Sequence, residues 1–285
     1  MYGKEEASDT LTLQLLTSKD AILRYGAMFV IGLAYSGTGN NEAIKKLLHY
    51  AVSDVSDDVR RAATMNLGFI LFKTPERIPE ILNLLSESYN PHVRYGVAMA
   101  LGIGCSGTSM VETLKLLVPL ARDNTEFVRQ GALIAMSMIF IQTTKELDQR
   151  VGKITDMYQK IYSNKHEDVL AKMGAILGTG ILNAGGRNVT ISLGSRHGNN
   201  KMISIIGLAL FTHYWYWYPL MYTISLAFTP DVLFGLNQDL KVPKSFQFLS
   251  DAKPKLFRYP EMMKEEDTKK QERVETAVLS TTNQV

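Results

Sequence analysis

Two kinds of apolar pattern alternate along the chain. In one kind, small residues are scattered through an almost wholly apolar run, as from Val93 to Ile103, where Gly96, Ala98, Ala100 and Gly102 stand among bulkier neighbours. In the other, leucines and isoleucines recur at helical spacing with polar residues between, as in Leu114, Leu117, Val118 and Ala121. Runs of the first kind share a register set by a basic residue near the start: Arg24, Arg60, Arg94, Arg129 and Lys172, spaced 36, 34, 35 and 43 residues apart. Four residues before each stand Asp20, Ser56, Asn90, Thr125 and Asp168, all favoured helix N-caps. Two residues after each stand Gly26, Ala62, Gly96, Gly131 and Gly174, and eight after stand Gly32, Gly68, Gly102, Ser137 and Gly180. Agreement of five copies at three columns defines a repeat.

The pattern predicts a helical pair per unit. Amphipathic helices are expected over residues 41–52, 76–86, 110–121 and 145–162, with a further one over 4–17 carrying Leu11, Leu13, Leu15 and Leu16. In the Ser88–Thr108 unit, Asn90 caps a helix with Pro91 at its first position, and Cys105-Ser106-Gly107-Thr108 ends it. Helices so rich in glycine have poor intrinsic propensity, so neighbours must hold them. Small side chains let helix axes approach, and a single pair cannot bury its apolar face alone. The expected class is all-α, a solenoid or partial toroid of stacked helical hairpins over residues 1–187.

Beyond Ala184 the pattern changes. Gly185-Gly186 should break the helix, and residues 188–193 have the β-branched content of a strand or extended loop. Residues 202–228 contain no Asp, Glu, Lys or Arg and centre on Tyr214-Trp215-Tyr216-Trp217-Tyr218-Pro219. That length could cross a bilayer, but the aromatics are central instead of flanking, and Pro219 interrupts the run. An extended segment followed by a pair of aromatic-rich apolar helices, together spanning 188–228 and closing the array, accounts for the same composition. Residues 229–260, with Pro230, Pro243, Pro254 and Pro260, read as extended, and 261–285 as a charged, mostly disordered tail.

Charge alters the picture little: 31 basic and 28 acidic residues leave +3, which supplies no field for nucleic acid. The one cysteine, Cys105, precludes an intrachain disulfide and suits a reducing compartment. The N-terminus, Met-Tyr-Gly-Lys-Glu-Glu, has no basic-then-apolar signal, so Asn188-Val189-Thr190 carries no weight as a glycosylation acceptor. Gly102-Ile103-Gly104-Cys105-Ser106-Gly107 has dinucleotide-type glycine spacing, but it closes a helix instead of opening one. No catalytic, metal or cofactor constellation stands out, and the five histidines lie at no ligand spacing. The anchor cations could bind an acidic partner; pairing with an acid of the adjacent repeat is the favoured reading.

Arg94-Tyr95-Gly96-Val97-Ala98-Met99-Ala100-Leu101-Gly102 with Ser106-Gly107-Thr108, and Arg24-Tyr25-Gly26-Ala27 leading to Ser36-Gly37-Thr38-Gly39-Asn40, resemble the proteasome/cyclosome repeat. With residues 52–63, 85–96, 188–193, 215–220 and 235–241, the chain resembles the 26S proteasome non-ATPase regulatory subunit 1 family over nearly its whole length. The resemblance implies a toroid with 202–228 inside the assembly and no membrane or nucleic-acid partner. It implies a cytoplasmic and nuclear, non-catalytic scaffold of the regulatory particle base that contacts the ATPase ring, the lid and a ubiquitin receptor. A runner-up is the anaphase-promoting complex scaffold, which shares the repeat; an integral membrane protein through 202–228 ranks below it. Family members are longer, so the chain is expected to begin on the second helix of a unit and to lack an N-terminal rod, several repeats and the distal receptor-docking tail. On its own it is expected to aggregate or to depend on partners, because repeat ends need caps.

Overall fold

The computed structural model describes residues 4–195, 197–231, 235–247, 249 and 251. Its helices come in pairs: α1 (Glu5–Leu16) with α2 (Ala21–Ala34), α3 (Asn41–Ser53) with α4 (Asp57–Leu71), α5 (Arg77–Ser86) with α6 (Pro91–Gly104), α7 (Val111–Leu120) with α8 (Glu126–Ile139), and α9 (Gln149–Ser163) with α10 (Val169–Leu182). The second members stack side by side in the order α2, α4, α6, α8, α10 as an inner row, and each first member packs outside its partner. The inner helices are those with the small-residue pattern. In α6 and α8, residues 95–104 and 130–139 are buried without a break, so these helices have no solvent face. A helix apolar all round belongs at the centre of a fold.

The small residues set the spacing of the row. A Cβ added to Gly68 would lie 2.6 Å from the Ala100 carbonyl oxygen, and one on Gly102 2.9 Å from the Ala135 Cα. These are backbone-to-backbone approaches that any larger residue would block. The turns after α2 and α6 hold the row together differently. Gly37 and Gly39, both at positive φ, donate their N–H groups to the carbonyls of Phe69 and Ile70 at the end of α4, at 2.9 and 3.2 Å. Gly107 and Ser109 do the same for Met138 and Ile139 at the end of α8, at 3.0 and 3.2 Å. Each Ser-Gly-Thr turn therefore satisfies carbonyls that the next inner helix leaves open at its C-terminus.

In α1 the buried residues are Ser8 and Thr12, one turn apart, while Leu13 is 63% exposed and the other three leucines are not fully buried. This departs from the leucine face expected over 4–17. Small hydroxyl residues let α1 lie close to α2, and the Ser8 hydroxyl donates to the Glu5 carbonyl.

After α10 the chain bends at Gly185 and Gly186, both at positive φ. It then forms β1 (Val189–Ile191), antiparallel to β2 (Phe228–Pro230) with Thr190 opposite Thr229. Between the strands lie α11 (Met202–His213), an aromatic turn and a 3-10 helix over Met221–Ala227. The uncharged run is thus α11 and the 3-10 helix packed on one another, and its aromatic centre is the turn between them, with Tyr218 at φ 48° before Pro219. At 12 residues α11 is about 18 Å long, short of the ~30 Å of a bilayer core. Among the described residues one helical stretch, Val169–Arg187, is long and apolar enough to cross a membrane by length and composition. It comprises α10, packed against α8 and α9, and the glycine bend. Residues 235–247 run without helix or strand. The charged tail expected over 261–285 lies outside the described residues, as do Pro254 and Pro260.

Candidate functional site

The anchor cations sit at the starts of the inner helices, and three of them bridge repeats. Arg94 donates from Nε and Nη2 to the two carboxylate oxygens of Asp123 at 2.6 and 2.9 Å, and from Nη1 to the carbonyls of Ser88 and Tyr89. Arg24 repeats the geometry with Asp54 at 2.8 and 3.1 Å and with the carbonyls of Ser18 and Lys19. Arg129 reaches Glu167 at 3.1 Å and the carbonyls of Asp123 and Asn124. Burial alone would raise the carboxyls of Asp54 and Asp123. The guanidinium of the neighbouring repeat and the N–H groups of Ser56 and Thr125 outweigh it and hold both below the usual range.

Two anchors differ. The loop opposite Arg60 has Ser88 at the position that Asp54 and Asp123 occupy in theirs, so Arg60 turns to its own loop, donating to the Asp54 carbonyl and lying 3.9 Å from Asp57. Lys172 donates to the Lys165 carbonyl at 3.4 Å and has no ion pair among the described residues. The glycine columns also divide. Gly32, Gly68, Gly96, Gly102, Gly131 and Gly174 all lie where an added Cβ would come within 3 Å of a neighbour, whereas Gly26 and Gly180 face open space. The reason is position: the last two lie on the outermost inner helices, α2 and α10.

The aromatic turn crosses the inner row as a strap. His213 Nδ1 meets the Tyr25 hydroxyl at 3.2 Å. Trp215 is enclosed by the Arg61 guanidinium 4.0 Å above its ring and by the rings of Tyr95, Phe127 and His92 at 5.0, 5.2 and 5.7 Å. Gln130 donates to the Tyr216 carbonyl at 3.3 Å, and Tyr218 is buried with its hydroxyl against that of Tyr95. Arg61, itself buried, is balanced by Asp58 at 2.7 Å and faces His92 Nδ1 at 3.3 Å. Burial first, and then the Arg61 charge, lower the basicity of His92 and His213, so both favour the neutral ring.

The strap's receptors occupy two columns of the same register. Tyr25, Arg61, Tyr95 and Gln130 each follow their anchor by one residue, and His92 and Phe127 precede theirs by two. Sequence reasoning passes over these columns because their residue types differ from copy to copy. The signal in the sequence is that each position lies one helical turn from its neighbour on a common face. Between the strap and the starts of α2 and α4 lies an open groove of about 430 Å³, lined by Ile22, Tyr25, Asp58, Arg61, Trp217 and Pro219 among others.

The glycine-rich Gly102–Gly107 segment ends α6 and turns back toward α8, leaving no helix N-terminus for a phosphate. Cys105 is buried, and burial pushes its thiol up to about 12, far from a reactive thiolate. Among the described residues no three His, Cys, Asp or Glu side chains converge as a metal site.

These features define a stacked helical-repeat protein of the HEAT type, and the family model for HEAT repeats matches residues 44–137. The model for the 26S proteasome regulatory subunit RPN2 C-terminal domain matches residues 232–285. The chain is 56% identical over 281 residues to the 26S proteasome non-ATPase regulatory subunit 1 homolog A of Arabidopsis thaliana, covering 99% of this chain and 28% of that protein. It is 53% identical to the 26S proteasome non-ATPase regulatory subunit 1 of Drosophila melanogaster, over 98% of this chain and 28% of that protein. To the 26S proteasome regulatory subunit rpn2 of Schizosaccharomyces pombe it is 48% identical, over 99% of this chain and 29% of that protein. The chain belongs to the 26S proteasome non-ATPase regulatory subunit 1 family, and it spans less than a third of the length of these relatives.

Proposed function

We propose that the chain is a non-catalytic scaffold segment of the proteasome regulatory particle base, organising ATPase, lid and ubiquitin-receptor subunits for ubiquitin-dependent degradation. The observation that carries this reading is the 56% identity across 99% of the chain to a proteasome regulatory subunit. The architecture supports it: stacked helical pairs give a stiff surface on which other proteins can be spaced. The chemistry agrees, since the anchor arginines are spent on bonds between and within repeats and the Cys105 thiol is held protonated. Work of this kind would take place in the cytoplasm and nucleus, without a cofactor.

Native affinity purification of the tagged chain tests the proposal. Co-purification of ATPase and lid subunits in fixed ratio is the expected result. Repeated recovery of the chain alone, or with subunits of the anaphase-promoting complex instead, would overturn it.

A further inference from the structure

The junction between α4 and α6 lies inside the row, with a repeat on either side, yet its anchor is not bridged like the others. Among the described residues, Arg24, Arg94 and Arg129 each take a carboxylate from the following repeat, and Arg60 takes none. The loop that faces Arg60 is nonetheless built to the same plan. Asp54, Ser88 and Asp123 each stand six residues before an anchor arginine. Each side chain accepts the N–H two residues further on: Asp54 from Ser56 at 2.8 Å, Asp123 from Thr125 at 2.8 Å and Ser88 from Asn90 at 3.3 Å. The carbonyl of each also accepts from the anchor that follows it, Arg60, Arg129 and Arg94 respectively. The Ser88 hydroxyl therefore sits where Asp54 and Asp123 reach back to the arginine of the preceding repeat.

Arg60 is correspondingly underused. Its side chain is only 18% exposed, and Asp57, at 3.9 Å, is beyond hydrogen-bond distance. Asp57 is half exposed and already accepts from Asn90 Nδ2 at 2.6 Å. Among the described residues the Arg60 side chain donates from Nε alone, to the Asp54 carbonyl, which leaves the two terminal nitrogens of its fork for another acceptor.

We propose that Ser88 is a phosphorylation site, and that its phosphate completes the α4–α6 junction by taking the Arg60 fork. Ser88 lies in a surface loop between the exposed Glu87 and Tyr89, the latter 86% exposed, where a protein kinase can reach it. Its Oγ attacks the γ-phosphorus of kinase-bound ATP. The bond from that phosphorus to the β,γ-bridging oxygen breaks, ADP leaves with the electron pair, and the hydroxyl proton passes to a base on the kinase. The product carries about two negative charges on oxygens that reach further than a carboxylate at the same position. A guanidinium holds such a group through parallel N–H bonds. Arg94, bonded to the Ser88 carbonyl at 2.7 Å, adds positive charge beside it. Glu87 and Asp57 oppose the phosphate, but both are exposed and water screens them. Modification thus gives the unbridged junction the cross-link its neighbours already have.

The chain produced with phosphoserine genetically incorporated at position 88 tests the pairing. In a phosphorus NMR titration the second ionisation of the phosphate should fall below its usual value of about 6, and Arg60→Gln should move it back. The phosphorylated chain should melt above the unmodified one, and Arg60→Gln should abolish that difference. Arg60→Lys keeps the charge without the fork and should retain part of both effects, so the comparison stands even if the glutamine variant does not fold. A titration and a melt indifferent to residue 60 would overturn the pairing. Use of the site is read on the chain isolated from growing eukaryotic cells with phosphatases blocked. Trypsin releases residues 78–94 as one peptide, in which fragment ions separate Ser88 from Ser86 and Tyr89. Phosphate on Ser88 is the expected result. A peptide always unmodified, or modified only at Ser86 or Tyr89, would overturn the assignment. Neither assay involves another proteasome subunit, so their failure and the failure of the scaffold reading are separate results.

Discussion

An arginine that binds one carboxylate with two nitrogens and two carbonyls with a third fixes a loop more firmly than any apolar contact at the same exposed rim could. Arg94 does this for the junction between α6 and α8, with both partners mostly buried. Arg94→Ala should therefore cost about 2–3 kcal/mol by leaving Asp123 unpaired, read as a lower melting temperature. The same pairs set the acid behaviour. Asp54 and Asp123 ionise more readily in the folded chain than in the unfolded one, so their contribution is whole above the ordinary carboxylate range and is lost as pH falls through and below it. His92 and His213 act at higher pH: the unfolded chain takes up their protons near the usual 6.5 while the folded chain resists, so stability begins to fall there. Melts from pH 8 to 3 should show both losses, with the upper one reduced in His92→Gln. At Cys105 the raised thiol predicts no reaction with a thiol reagent at pH 8 until the chain unfolds, which absorbance of the released chromophore would follow.

At the scale of an element, glycines of one register have opposite consequences. A leucine at Gly131 would press its Cβ to 2.7 Å from the Tyr95 ring, and one at Gly68 to 2.6 Å from a backbone oxygen that cannot move aside. Gly131→Leu should cost about 1–3 kcal/mol and Gly68→Leu at least as much, by overpacking. Gly180→Ala, on the open face of α10, should instead stabilise by about 0.5–1 kcal/mol through helix propensity. Parallel thermal melts of the three variants check the sign as well as the size. If all three lost stability alike, the glycines would be acting through something other than helix spacing.

For the whole molecule, the strap couples what the repeats alone leave local. Neighbouring units in a linear array contact only each other, and such arrays can melt piecemeal. Here residues 213–218 touch α2, α4, α6 and α8 at once. The two tryptophans, Trp215 and Trp217, both lie in that strap. Their fluorescence and the far-ultraviolet circular dichroism should therefore lose signal over one transition. Trp215→Ala should broaden the circular dichroism melt, as repeats released from the strap unfold more independently; an unchanged width would show the strap to be ornamental.

The repeat is legible in the amino-acid sequence by itself, because a helix that must lie against two neighbours can carry only small residues where backbones meet, and Gly96, Gly102 and Gly131 declare that requirement wherever they recur. The caps at Asp20, Asn90 and Asp168 are legible for a similar reason, since they depend on residues two positions away. Local chemistry also marks the bend at Gly185-Gly186 and the strand that follows. What tertiary structure alone decided was where the uncharged run would lie and in what shape. Its composition suits a membrane span or a helical pair, and only Tyr25, Arg61, Tyr95, Phe127 and Gln130, brought onto one face by the stacking of four helices, hold the turn between α11 and the 3-10 helix across the inner row. The same stacking decided which glycines are constrained within these repeats: Gly26 and Gly180 match their columns in sequence, but an added Cβ there meets no described atom, whereas at Gly68, Gly102 and Gly131 it meets the adjacent helix.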